Sequence, residues 1–101
     1  HAKARGVTFV NHTFTSHLAL SASLQAYAGA ADHLLCEYPG QLSSLAHDLT
    51  REHLVPDERG EICVPEQPGL GIEPDPAAIQ RYLVDAEVSV KGRVLYRTPT
   101  L

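Results

Sequence analysis

Residues 6–17 read Gly6-Val-Thr-Phe-Val-Asn-His12-Thr-Phe-Thr-Ser-His17, and residues 33–39 read His33-Leu-Leu-Cys-Glu-Tyr-Pro39. Residues 7–10 are β-favouring and largely apolar on both alternating faces, the pattern of a strand covered on both sides in a parallel sheet. That strand is expected to end near Asn11 and His12. Thr15 or Ser16 then offers an N-cap for a helix through Leu18, Ala22, Leu24 and Ala26 that stops at Gly29. Apolar residues fall on nearly every side of this segment, which predicts a buried helix.

Residues 34–36 form a second short apolar run, bounded by Asp32 and Pro39, and read as a second buried strand. The crossover between the two runs is long enough for the right-handed parallel connection of a βαβ unit. Both strands then point the same way, which places His12 and Glu37 on one rim of the sheet, where open α/β sheets and barrels carry their chemistry. A His and a Glu so placed can act as general base and general acid on a small ligand. The same residues also have a plainer reading, with His12 bonded to a loop and Glu37 paired with a surface cation.

Downstream, Leu42, Leu45, Ala46 and Leu49 repeat at helical spacing. The composition then shifts, and residues 51–75 are rich in Pro, Gly and Glu, with a turn at Pro56-Asp-Glu-Arg-Gly60, a short strand at residues 62–64 and the loop Pro65-Glu-Gln-Pro-Gly-Leu-Gly71. Asp75-Pro76 is a strong helix start, followed by Ile79, Tyr82 and Leu83 on one face. Residues 84–90 and 93–96 flank Lys91-Gly92 and read as a closing hairpin.

Other site classes find less support. No HExxH spacing is present, and the spacing of His12 and His17 would not put them on one helix face, which weighs against a zinc site from His12, His17, His33 and Glu37. His33, His47 and His53 read as structural or solvent-facing. Gly69-Leu-Gly71 lacks a preceding strand and a following helix, so it is a turn of unusual backbone angles rather than a phosphate loop. Cys36 and Cys63 lack metal or disulfide-framework spacing. The net charge of -4, from twelve acidic and eight basic residues spread without blocks, leaves no nucleic-acid footprint.

The 101 residues suffice for one small domain, and 44% hydrophobic content allows a core. No apolar run of membrane-spanning length and no leader is evident, so a soluble, cytoplasmic setting is expected. The chain opens on His1 rather than Met, as processing, excision or a place within a larger polypeptide would leave it.

The order strand, His, helix, strand, Glu, followed by Glu58-Arg-Gly-Glu-Ile-Cys-Val-Pro-Glu-Gln-Pro-Gly-Leu-Gly-Ile72 and a short capped helix, resembles the C-terminal part of the enolase superfamily, of the mandelate racemase/muconate lactonizing type. Val64-Pro65 to Pro68-Gly-Leu-Gly71 is the most specific phrase, and the resemblance covers nearly the whole chain. It implies an α/β fold: the C-terminal portion of a modified (β/α)7β TIM-like barrel, with strands seven and eight in residues 1–50. Residues 51–101 would be the segment returning to an α+β capping domain. A complete barrel needs about 250 residues, so the resemblance implies a fragment or one part of a split enzyme, inactive alone.

In that family a proton alpha to a carboxylate is abstracted, with Mg2+ on three acidic ligands stabilising the enediolate. The resemblance gives Glu37 the strand-eight role of hydrogen-bonding the substrate carboxylate as it gains charge. Two histidines compete for the strand-seven role of base. His17 lies twenty residues before Glu37 in a Ser-His-Leu context similar to the racemase, and His12 lies twenty-five before it, as in several sugar-acid dehydratases. A strand beginning at Val7 ends near His12, whereas His17 falls in the first turn of the helix; the choice therefore falls on His12. His17 remains a substrate-side or alternative catalytic group, with Asn11 and Tyr38 as further substrate-side candidates.

The reaction the resemblance implies is dehydration of a sugar acid to a 2-keto-3-deoxy acid, with racemisation or epimerisation of a 2-hydroxy acid as the alternative. Mg2+ ligands are expected outside the chain. The implied partners are a small carboxylate substrate, the N-terminal remainder of the enzyme and further copies in a homo-oligomer, with no nucleic acid and no membrane. A reading of another class is a self-standing, non-catalytic α/β interaction module whose sheet edges bind a partner.

Overall fold

Ser16 decides where the first α-helix begins. In the computed structural model, which describes residues 1–13, 15–26, 28–29 and 35–100, Ser16 is extended and its Oγ accepts the backbone N–H of Ala19 at 3.2 Å. It thereby caps helix α1, His17–Gln25. The buried face of α1 is His17, Leu20, Ser21 and Leu24, the i, i+3, i+4, i+7 stripe of a helix packed on one side. Sequence hydropathy predicts burial all round, yet Ala22 and Gln25 are exposed. The buried stripe is half polar, so periodicity of apolar residues does not reveal it. The helix ends at Gln25 with Ala26 as its C-cap, short of the Gly29 stop that the sequence suggests.

Two further short helices use the same device. Ser43 caps α2, Ser44–Asp48, by accepting from Ala46 N at 3.2 Å. Asp75 caps α3, Pro76–Gln80, with Oδ1 accepting from Ala77 N and Ala78 N at 3.0 and 3.1 Å while Pro76 occupies the first turn. The stretch between them folds back on itself. Thr50 bridges Pro74, Arg51 N donates to Glu73 O, and Asp75 N donates to Leu49 O.

The core gathers both halves of the chain. Leu20 and Leu24 of α1 meet Leu54 and Ile72, with Cys36, Tyr38, Ile62 and Val64 packed against them. The Pro65–Gly71 phrase makes this possible. Gly69 and Gly71 both have positive φ, and a Cβ on Gly71 would collide with Pro65, so the loop turns tightly enough for Leu70 O to accept the Ser21 hydroxyl and for Ile72 to enter the core.

The anticipated parallel strands are not formed as ladders. Residues 7–10 and 35–39 have no regular pairing, and the same holds for residues 62–64; residue 34 and His33, the start of the expected second strand, lie outside the described residues. Residues 35–38 still alternate like a strand: Cys36 and Tyr38 pack on the core while Leu35 is exposed and Glu37 turns towards His12. What they lack is neighbouring strands to exchange hydrogen bonds with. The sheet among the described residues is the antiparallel hairpin β1, Glu87–Val90, and β2, Arg93–Arg97. Its two-residue turn has φ 51° at Lys91 and 76° at Gly92, the sense that a tight hairpin requires. Val88 faces Tyr96 and Ser89 faces Val94, so Leu95 is an extra, bulged residue.

Burial is thin for a chain of this length. Among the described residues the buried apolar side chains are Leu20, Leu24, Ala46, Leu54, Ile72 and Ala78, while Val7, Phe9, Val10 and Leu35 are exposed, as is every residue of the hairpin. The radius of gyration is 17.6 Å, against about 13 Å for a compact domain of 100 residues. The 101-residue chain alone is accordingly expected to melt over a broad range and to bind a hydrophobic dye. A sharp calorimetric transition with an unfolding enthalpy of about 60–80 kcal/mol would instead support the self-standing module.

Candidate functional site

The ends of the two extended segments converge. His12 Nδ1 lies 3.0 Å from Glu37 Oε2; the His12 side chain is 80% exposed and that of Glu37 34%. The same carboxylate oxygen accepts the backbone N–H of Thr13 at 2.6 Å. Thr13 itself is buried. Because Oε2 is already an acceptor towards Thr13, the economical partner for it is an Nδ1–H donor. That choice leaves Nε2 as the basic nitrogen of a neutral ring, oriented by the carboxylate as a base is oriented in a triad.

Asn11 stands behind this pair rather than in front of it. Its Oδ1 accepts Glu37 N–H at 2.8 Å, and its Nδ2 donates to Ser23 Oγ at 3.0 Å, with longer contacts to Glu37 O and Thr13 Oγ1, each 3.3 Å. Tyr38, next to Glu37, turns into the core and its hydroxyl donates to Leu54 O at 3.2 Å.

His17 is placed elsewhere. It is 3% exposed, and its Nδ1 accepts Leu54 N–H at 3.2 Å. Its ring lies 4.9 Å from that of His53 and 6.2 Å from that of His47, which stack on each other at 3.9 Å. The trio lines an open cleft with Tyr38, Pro39 and Asp48. Burial, and then the neighbouring His53 and His47, lower the pKa of His17. Asp48 closes the far side, accepting from Tyr82 at 2.6 Å and from Arg81 at 3.2 Å, and lying 3.1 Å from His47 Nδ1. These bonds, the one from Tyr82 foremost, hold its carboxyl below the usual range.

Reading His47 and His53 one at a time as structural or solvent-facing misses the cluster. The only sequence signal was three histidines within forty residues. Their meeting depends on the turn that brings residues 47–54 over the first turn of α1. No group of three or more His, Cys, Asp or Glu side chains among the described residues converges as a metal site, and His33 lies outside those residues.

The family model described as enolase C-terminal domain-like matches residues 1–78. The chain belongs to the enolase superfamily. Within it the relationship is to the mandelate racemase/muconate lactonizing type, as the motifs indicate. A solved structure of a predicted mandelate racemase from Rhodobacter sphaeroides matches with a TM-score of 0.89 and 54% identity, over 97% of this chain and 25% of that one. The chain thus spans about a quarter of that relative's length. No curated protein matches it. Among the described residues no helix is long and apolar enough to cross a membrane.

Neutral His17 is required by its bond to Leu54 N–H, which gives the trio a pH signature. A histidine whose folded pKa is lowered stabilises the fold fully above its unfolded value of about 6.5, and that contribution is lost as pH falls through the folded value. In the full-length polypeptide, the protection factor of the Leu54 amide, which corrects for the base-catalysed intrinsic rate, is expected to be high at pH 8 and to fall below about pH 6.5. His17→Leu, which removes the acceptor at a cost of about 1–3 kcal/mol, should flatten that dependence. An equal fall in protection in the wild type and the variant would contradict it.

Proposed function

We propose that the chain is the C-terminal part of an enolase-superfamily enzyme that abstracts the proton alpha to a carboxylate, with His12 as base and Glu37 binding the substrate carboxylate. The observation that carries this reading is the 3.0 Å contact between His12 Nδ1 and Glu37 Oε2. It is supported by the family relationship and by the 54% identity to a predicted mandelate racemase.

The division of labour follows from the atoms. With Nδ1 on Glu37, proton transfer falls to His12 Nε2, the ring nitrogen left to take a carbon-bound proton. Glu37 Oε2 accepts from Thr13 and His12 in either protonation state, so Oε1 is the oxygen that presents a proton to the substrate carboxylate as it becomes an enediolate. The Mg2+ implied by the superfamily would be held by acidic residues outside this chain, where it supplies charge stabilisation to the enediolate. No group of three or more His, Cys, Asp or Glu side chains among the described residues fits such a site.

After proton removal two outcomes are open. Loss of a β-hydroxyl, protonated by the His12 imidazolium as it leaves, gives an enol that becomes a 2-keto-3-deoxy acid; this dehydration of a sugar acid is the first reading. Reprotonation of the opposite face, by an acid supplied from outside this chain, gives a racemase or epimerase, the alternative that matches the name of the solved relative. The test is solvent deuterium incorporation by the full-length enzyme, read at the alpha carbon of recovered substrate or isomer and at C3 of any 2-keto-3-deoxy acid. His12→Asn is expected to slow incorporation by about 100-fold or more. Release of a keto acid marks dehydration, and recovery of deuterated isomer marks racemisation. Exchange at the wild-type rate in His12→Asn would overturn the assignment.

A further inference from the structure

The sequence suggests Asn11 as a substrate-side group, but both polar atoms of its side chain are engaged by the protein itself. The geometry points to Asn11 as a positioning residue that fixes the backbone of Glu37, and through it the His12–Glu37 pair. This inference rests on the proposed proton-abstraction chemistry and extends it to a residue that touches no substrate.

The orientation of the amide follows from its partners. Glu37 N–H can only donate, so the atom 2.8 Å away must be the oxygen of Asn11. Nδ2 is then directed at Ser23 Oγ, 3.0 Å away on α1, and at Glu37 O and Thr13 Oγ1, each 3.3 Å away. One primary amide thus reads both the N–H and the C=O of Glu37, as a facing peptide would in a ladder. Residues 7–10 and 35–39 make no such ladder with each other among the described residues, so the amide ties the backbone of Glu37 to the segment carrying His12, beside the two contacts of its carboxylate with that segment.

The consequence is a fixed path from backbone to carboxylate. Asn11 sets the Glu37 backbone, and the Thr13 amide at 2.6 Å sets its side chain. His12 reaches the same oxygen at 3.0 Å. Ser23 anchors the amide to α1, which is held in the core through Leu20 and Leu24. Displacing the Glu37 backbone by a fraction of an ångström would disturb the partner of His12 and the carboxylate contact together, which is the kind of error that enzymes tolerate poorly.

The test is a double-mutant cycle in the full-length enzyme, read as deuterium incorporation with kcat and KM separated. Asn11→Ala is expected to lower kcat by about 10- to 100-fold with a smaller change in KM. On a Glu37→Ala background the same substitution should change the rate by less than about twofold, because the side chain it positions is already gone. Ser23→Ala, which leaves Asn11 and Glu37 in place, should give a smaller loss of kcat and also vanish on that background. A purely structural role would lower the rate by the same factor on both backgrounds, and that result, or an unchanged kcat in Asn11→Ala, overturns the inference. If Asn11→Ala fails to fold, Ser23→Ala decides alone by the same criteria. A Glu37→Ala enzyme with wild-type rate would instead strike the role proposed for Glu37, leaving the two failures distinguishable.

Discussion

Two extended segments with no ladder between them are tied by one side-chain amide, and the arrangement of the site depends on that tie. Asn11 takes the N–H of Glu37 at 2.8 Å and passes its own donor to Ser23 at 3.0 Å, so strand-like chain is held in register by an interaction a ladder would normally supply. His12 and the Thr13 amide share Glu37 Oε2, and the carboxylate links the two segments a second time.

A second set of constraints holds the return path. Leu54 is the hinge of this part: its side chain is in the core, its N–H is taken by His17 and its C=O by Tyr38. Gly71 lets the Pro65–Gly71 loop close on Pro65, bringing Leu70 O to Ser21 and Ile72 to Leu20 and Leu24. Helix α1 therefore packs on the return path and also offers Ser23 to Asn11. The exposed Val7, Phe9 and Val10, and the wholly exposed hairpin, are surfaces with more apolar area than a small core of this kind would leave uncovered in a self-standing domain.

What was legible in the sequence was chemistry that acts locally. Ser16, Asp75-Pro76 and Lys91-Gly92 each carry their own start or turn signal, and α1, α3 and the hairpin begin or turn where those residues stand. The approach of His12 to Glu37 was also legible, because two apolar runs ending in polar residues imply a shared rim. What was hidden needed tertiary information. A strand exists only with a partner, so residues 7–10 and 35–39 read as strands but do not pair as strands. The stripe of α1 contains His17 and Ser21, which no hydropathy pattern would bury. The histidine trio and the Asn11 brace depend on where the chain returns, and Asn11 looked like a ligand-facing residue until its four partners were in view.

The account rests most directly on the protonation of one ring nitrogen. With histidine labelled in 15N, long-range proton–nitrogen correlation spectra of the full-length protein report which nitrogen of neutral His12 carries the proton. The contact with Glu37 Oε2 predicts the Nδ1–H tautomer, with Nε2 unprotonated and basic, and predicts that Glu37→Ala releases this preference. A neutral His12 found in the Nε2–H form, unchanged by Glu37→Ala, would contradict it.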